Sequence, residues 1–341
     1  MVKKSKPRSG SLAFYPRKRA ARETPSFRTV KRDGKEIKPL NFIGYKAGML
    51  SVVGKNIHEG SPSYGQEAVL AATVIETPPI KVFGIRAYRE TPYGLEILTE
   101  VTTDNIDKEL RRRIKRFKEK SKDKKKEEKK AEGKVSIEEI EKLVKEGKVN
   151  EIRLLAHTQP KLTAIGKKKP EVIEIFLNGT PEEQLKYAME KLGKEITVKE
   201  VFNEKDFIDV KAVTKGKGFE GVVKRFGVKI QRPKAKKRRI VGSIGPWTPA
   251  TVMWTVPRPG QHGYHSRTEL NKKLILIGSK DETDKVNPKG GFTGYGLVKN
   301  DYIVIIGSTP GPRKRAVALR QAVREAKEKG VTIETIERII K

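Results

Sequence analysis

The chain has 341 residues, with 75 Lys and Arg against 42 Asp and Glu, and a formal charge of +33 whose self-repulsion favours a polyanionic partner. It has no cysteine, which excludes disulfides and thiolate metal sites, and no window approaches the ~20 apolar residues of a membrane-spanning helix. Hydrophobic residues, at 35%, still suffice for one core with polar appendages, and the Lys- and Glu-rich, Met-poor composition leans towards a thermophile; a soluble intracellular protein with a modest globular body and basic arms is expected.

Residues 1–39 hold thirteen Lys and Arg, among them Arg8, Arg17, Lys18 and Arg19, against three acids and show no apolar period. This predicts an extended arm that folds only on its partner. From Leu40 the character changes: Phe42–Tyr45, Ala68–Ile75 and Ile80–Ile85 are short β-branched runs bounded by Gly and Pro, which read as buried strands. Residues 104–134 mix both charges densely and suggest a solvated helix or a partly disordered excursion. Ser136 with Glu139 forms a capping box for one helix, and Thr180-Pro181-Glu182-Glu183 opens a second. Between them, Ile152–Ala156 and Val172–Leu177 read as strands, so 105–195 is expected to be an α+β insertion. Strands resume at Ile196–Val198, Phe207–Val213, Leu274–Ile277 and Tyr302–Ile306, and because helices do not alternate with them the pattern favours a closed antiparallel barrel over a βαβ array.

Residues 211–245 carry twelve Lys and Arg against a single acid, Glu220. With six glycines interspersed, and Pro233 within the run, this segment cannot be a continuous helix; threaded between phosphates it would satisfy its charges. Gly216-Lys217-Gly218-Phe219-Glu220-Gly221 formally fits a dinucleotide-binding loop, but the ribose-binding acid expected ~20 residues later is missing. Gly227 and Pro233 also interrupt the helix that would receive the pyrophosphate. His262 and His265 lack the further ligands of a tetrahedral metal site, so hydrogen bonding to phosphate or backbone is expected of them. His58 and His157 have no nucleophile or carboxylate pattern around them, and no Ser elbow or Walker loop occurs. Both tryptophans follow the basic run. Trp247, between Pro246 and Pro249, is expected to be exposed and to stack on a base, whereas Trp254, among Val252, Met253 and Val256, is expected to anchor a small apolar cluster.

Phe202, Asp209, Ala212, Thr214, Gly216-Lys217-Gly218, Gly221 and Arg225 together resemble the signature of the universal large-subunit ribosomal protein family L-three. Gly242–Ala250, Pro259–Thr268, Gly290–Gly296 and Gly311–Arg315 look like its archaeal and eukaryotic form, and the similarity spans nearly the whole chain. The chain departs from some eukaryotic relatives at Thr251, where they carry a histidine. The resemblance implies a mainly β fold: a closed six-stranded antiparallel barrel of the translation-protein type with an α+β insertion, an extended basic N-terminal arm and a long basic central finger. It also implies early binding in subunit assembly, a finger tip near Trp247 close to the peptidyl-transferase centre, and neighbours resembling the L-fourteen and L-twenty-four-e families.

The expected organisation is an arm over 1–39, barrel over 40–104, insertion over 105–195, barrel over 196–213, an RNA-penetrating finger over 214–270, and barrel completion with a basic tail or helix over 271–341. The expected function is that of a structural constituent of the large ribosomal subunit, one copy per cytoplasmic ribosome, with no catalytic residue, no membrane partner and no cofactor beyond the magnesium ions of the RNA. Ribosomal-RNA contacts are expected from Arg8, Arg17, Lys18, Arg19, Lys215, Lys217, Lys224, Arg225, Arg232, Lys234, Lys236, Lys237, Arg238, Arg239, Trp247, Arg258, His262, His265, Arg267, Arg313, Lys314 and Arg315. The alternatives are an RNA-modifying enzyme, for which Asp209 is the one acid beside the basic segment, and a general nucleic-acid-compacting protein.

Overall fold

The structure, a computed structural model, describes residues 7–30, 36–103, 106–114, 137–325, 331–333 and 335–341. Its strands are β1 (Asn41–Lys55), β2 (Glu67–Glu76), β3 (Ile80–Thr91), β4 (Gly94–Thr102), β5 (Glu151–His157), β6 (Val172–Phe176), β7 (Glu195–Ile196), β8 (Phe207–Val213), β9 (Gly216–Glu220), β10 (Gly260–Gly263), β11 (Ser266–Gly278), β12 (Tyr302–Ile306), β13 (Ala316–Gln321) and β14 (Arg338–Ile340). The helices are α1 (Lys108–Arg111), α2 (Ile137–Lys145), α3 (Pro181–Lys191) and α4 (Val222–Phe226). The chain divides into two compact units, one of Thr24–Ala212 and Thr268–Lys341, the other of Met1–Glu23 and Val213–Arg267.

The larger unit is mainly β. β1 pairs with β2, β2 with β12, β12 with β11, β11 with β8, β8 with β13, and β13 returns to β1, so six antiparallel strands form a closed ring. β14 extends the edge of β1 beyond β13, pairing Ser51 with Ile340. A bulge between Lys46 and Gly48 bends β1, and the aromatic ring of Phe292 lies so close to Gly48 that a Cβ there would sit 2.3 Å from it. Phe42, Tyr45, Ile75, Val304 and Tyr302 are fully buried in the resulting core.

Sequence reasoning finds the strands more readily than their sheets. The run at Ile80 belongs to β3, which does not join the ring: it pairs with β4 and β5, and β5 with β6. Ile196 sits in the two-residue β7 against β3, and Val198 begins a turn of 3-10 helix instead of prolonging a ring strand. The expected boundary at 104/105 therefore falls inside one sheet; a β-branched run shows that a strand forms but not which neighbour it takes. β13 comes from Ala316–Gln321, which opens an Ala-, Arg- and Glu-rich stretch of helical appearance, and pairing on both edges overrides that preference. α3 begins as expected, with Thr180 and Glu183 forming its capping box. It packs on β5 through Leu185, Ala188 and Gln184, whose Oε1 accepts from the Ile152 N–H at 2.8 Å. Ser136 and most of the charge-dense stretch fall outside the described residues, as do Lys3, Lys4, Lys6 and residues 31–35 of the expected arm.

Two buried polar groups join the ring to its surroundings. The Tyr45 hydroxyl meets Thr158 Oγ1 at 2.8 Å and donates to the Glu171 carboxylate; burial, then that carboxylate, push its pKa well up. Asp209, on β8, is held by Arg320 of β13 at 2.8 and 3.1 Å and accepts from the Asn271 N–H at 3.1 Å. Arg320 lies 4.6 Å from the Phe27 ring centroid and donates to the Thr29 carbonyl, so the Phe27 region, counted with the basic arm by charge alone, has an aromatic ring to bury.

Candidate nucleic-acid interface

The smaller unit gathers the nineteen expected RNA contacts other than those of 313–315, and a few aromatic rings organise them. β9 and β10 pair across a long excursion, Gly260 opposite Glu220 and Gly263 opposite Gly216. At Gly263 the backbone turns left-handed, with φ +72°, and a Cβ would lie 2.1 Å from the Lys215 carbonyl oxygen, so only glycine fits. α4 follows β9 directly and ends on Gly227 in the left-handed conformation. Its buried Phe226 packs 6.1 Å from Tyr15, and Trp254 meets Tyr15 edge-on at 5.3 Å.

Several arginines chosen for phosphate contact are committed within the chain. Arg17 lies over Phe226, 4.4 Å from the ring centroid, and donates to the carbonyls of Arg225 and Ser11, each at 3.1 Å. Arg225 answers by donating to the carbonyls of Arg17 at 3.1 Å, Gln261 at 3.0 Å and Arg258 at 2.8 Å. These two guanidinium groups thus fasten residues near 17 to α4 and β10, which a compact ammonium could not do in the same geometry. Burial, and then the charge of Arg17, lower the pKa of Arg225 and of Arg267, whose guanidinium covers Phe14 at 4.8 Å. Arg8 donates to the Thr255 carbonyl at 2.7 Å.

His265 is likewise used internally. Its Nε2 accepts from the Gly263 N–H at 3.1 Å and its Nδ1 lies 2.9 Å from the Lys18 carbonyl, a pairing that calls for the neutral ring protonated on Nδ1. Neither ring nitrogen is left for a phosphate, so the backbone alternative applies. His262 stands 3.6 Å from Glu220, and burial lowers its pKa although that carboxylate opposes the shift. The two imidazoles are 6.2 Å apart and edge-on, and no group of three metal-ligating side chains occurs among the described residues.

The remaining candidates point outward. Lys18, Arg19, Lys215, Lys217, Lys224 and Arg258 are exposed, as are Arg232, Lys234, Lys236, Lys237, Arg238 and Arg239. No Asp or Glu occurs from 221 to 268, so the outward charges on this stretch have no acid of their own segment to pair with. Residues 242–254 are exposed throughout, and Trp247 is 96% exposed, as its proline-flanked context implies. Trp254 differs from expectation: it is 66% exposed and its anchor is Tyr15, because Val252 and Met253 are themselves turned to solvent. The internal roles of Arg17 and Arg225 were missed by charge counting; the nearby aromatics Tyr15 and Phe226 were the available signal.

Arg313, Lys314 and Arg315 belong to the larger unit, just before β13. Arg313 donates to the Thr293 carbonyl, and the backbone of Lys314 and Arg315 pairs with that of Lys46. Asp209, the acid an enzyme reading needs, is 2% exposed and occupied by Arg320, in no position to act as a general base.

The family model described as Ribosomal protein L3 matches residues 1–340. The chain is 48% identical over 328 residues to the large ribosomal subunit protein uL3 of Methanobrevibacter smithii, covering 95% of this chain and 94% of that one. It is 49% identical over 331 residues to the protein of the same name from Methanosphaera stadtmanae, covering 96% and 94%. The counterpart from Methanocaldococcus jannaschii is 47% identical over 325 residues, covering 94% and 92%.

Proposed function

The chain belongs to the ribosomal protein L3 family, a family of structural proteins and not of enzymes, and from that premise we propose that it binds large-subunit ribosomal RNA through the exposed face of its smaller unit. The observation that carries this reading is the acid-free stretch of 221–268, in which Arg232, Lys234, Lys236, Lys237, Arg238 and Arg239 face solvent ahead of an exposed Trp247. Such a surface is unfavourable alone and favourable against phosphates, which release their counterions on contact.

In this reading the six-stranded ring is a closed barrel of the translation-protein type that holds the protein in the subunit. Residues 214–270 are a finger entering the RNA, and residues 1–39 an arm laid along it. The chain joins early in assembly, the Trp247 end approaches the peptidyl-transferase centre, and neighbours resemble the L-fourteen and L-twenty-four-e families. Lys18, Arg19, Lys215, Lys217, Lys224, Arg258 and the 232–239 cluster make the phosphate contacts, with Arg313, Lys314 and Arg315 as a second basic site. Arg8, Arg17, Arg225, His265 and Arg267 act chiefly by shaping the unit. Magnesium, where present, belongs to the RNA.

Two measurements test the proposal. The protein should comigrate with large subunits through moderate salt, and its affinity for large-subunit RNA should fall steeply with salt concentration. Replacing Lys236, Lys237, Arg238 and Arg239 with Gln should flatten the log-log slope by about 0.7–0.9 for each lost phosphate contact. An unchanged slope would take this cluster off the RNA.

A further inference from the structure

The second sheet of the larger unit ends on an open edge. β4 pairs with β3 on one side and with no strand among the described residues on the other. Along that edge Tyr93, Leu95 and Ile97 are 102%, 47% and 51% exposed. Their two-residue spacing puts Leu95 and Ile97 on one face of the strand, with Tyr93 at its head. A single exposed hydrophobic residue needs no explanation, but alternating ones on an unpaired edge form a template for strand addition, which folds ordinarily blunt with lysine or proline. β4 carries neither.

Charge identifies the kind of partner. From 90 to 107 there are five acids, Glu90, Glu96, Glu100, Asp104 and Asp107, and no Lys or Arg, in a chain whose net charge is +33. Glu96 faces Arg89 at 3.0 Å, Glu100 faces Arg86 at 2.7 Å and Asp107 faces Lys81 at 2.7 Å, while Glu90 pairs with no cation among the described residues. With the other described acids matched by cations of β3, the edge offers phosphate no cluster of free cations and leaves Glu90 at its head for a cationic side chain. We infer that β4 is a docking edge for an extended segment of a neighbouring large-subunit protein, one that supplies apolar side chains to Tyr93, Leu95 and Ile97 and a Lys or Arg to Glu90. The inference rests on the proposed place of the chain in the large subunit.

The test is photo-crosslinking in assembled large subunits that carry the full chain with benzoylphenylalanine at position 97 or, for comparison, at position 236. Position 236 should crosslink to RNA. Position 97 should give a product that survives nuclease and is lost to protease, whose sequenced peptide comes from a stoichiometric subunit protein and contains both apolar residues and Lys or Arg. A Leu95→Lys variant of the position-97 protein should lower that yield about tenfold, since such anchors dominate interface energy, while leaving unfolding of the free protein unchanged because the side chain is exposed. Crosslinks from position 97 to RNA, to an acidic peptide, to this same chain, or to nothing would each overturn the docking edge while the protein remained in the subunit. Absence of the protein from the subunit altogether would instead overturn the proposed function.

Discussion

Arginine serves two purposes in the smaller unit, and the distinction depends on what lies beside each side chain. Arg17 has a ring to cover and two carbonyls to satisfy, whereas Lys236 has only solvent, so one shapes the fold and the other remains free for a partner. Arg17→Lys keeps the charge but loses the planar fork, leaving the Arg225 and Ser11 carbonyls without this donor; a cost of roughly 1–3 kcal/mol is expected for bonds to a charged group. Amide exchange in α4 and β10 should report the loss, while Lys236→Gln should leave both elements unchanged. If Arg17→Lys did not alter exchange there, Arg17 would return to the set of direct RNA ligands. The tryptophans invite a similar contrast. If Trp247 stacks on RNA, Trp247→Ala should cost about 1–3 kcal/mol of local binding, small beside many phosphate contacts. Subunits should then form in near-normal yield and differ in aminoacyl-tRNA accommodation or in sensitivity to peptidyl-transferase inhibitors. Trp254→Ala removes one edge-on contact with Tyr15 and should cost roughly 0.5–1.5 kcal/mol of the stability of the free unit. Normal yield, tRNA binding and inhibitor response with Trp247→Ala would leave Trp247 no role at the tip.

At the level of elements, ring closure depends on β13, and β13 is tied to β8 by the ion pair between Asp209 and Arg320. Both side chains are buried, so Asp209→Ala would strand a guanidinium away from water and should destabilise the protein by about 3–5 kcal/mol, read as a lower urea midpoint. Replacing both partners with apolar residues of similar volume, Asp209→Leu with Arg320→Met, should restore much of that loss. Equal losses in the single and double variants would mean that the pair matters for its shape alone. This element also marks how far the sequence could be read. Ala316–Gln321 has no β-branched run apart from Val317, and its place in the ring comes from partners roughly 100 and 270 residues distant, which no local pattern encodes. Phe42–Tyr45 and Tyr302–Ile306, by contrast, announce themselves because each is buried along most of its length, and Ala68–Ile75 does so through its buried second half, Ala72–Ile75. The site divides in the same way. Charge density located the 232–239 cluster, but which arginines would turn inward depended on Phe226, Tyr15 and Phe14, contacts that exist only once the chain has folded.

For the molecule as a whole, backbone hydrogen bonding is distributed as unevenly as charge. The ring strands have partners on both edges along much of their length. Residues 232–254, in contrast, have few backbone bonds: Gln231 N–H to the Arg238 carbonyl at 2.9 Å spans the basic loop, Ala235 to Arg232 closes a turn at 3.0 Å, and the next, Val256 to Met253 at 3.1 Å, comes at the far end. Amides that lack protein partners open at almost no cost, so this stretch should exchange within about tenfold of the unfolded rate in the RNA-free protein, while β1, β2 and β12 open only with global unfolding. Adding large-subunit RNA should protect 232–254 and leave the ring amides where they were, because the phosphates supply what the chain does not. The order of the two measurements matters, since protection must appear with RNA and not before it. Strong protection of 232–254 in the free protein would withdraw the reading of this segment as one that RNA orders, whereas weak protection that RNA fails to change would place the RNA contact elsewhere on the molecule.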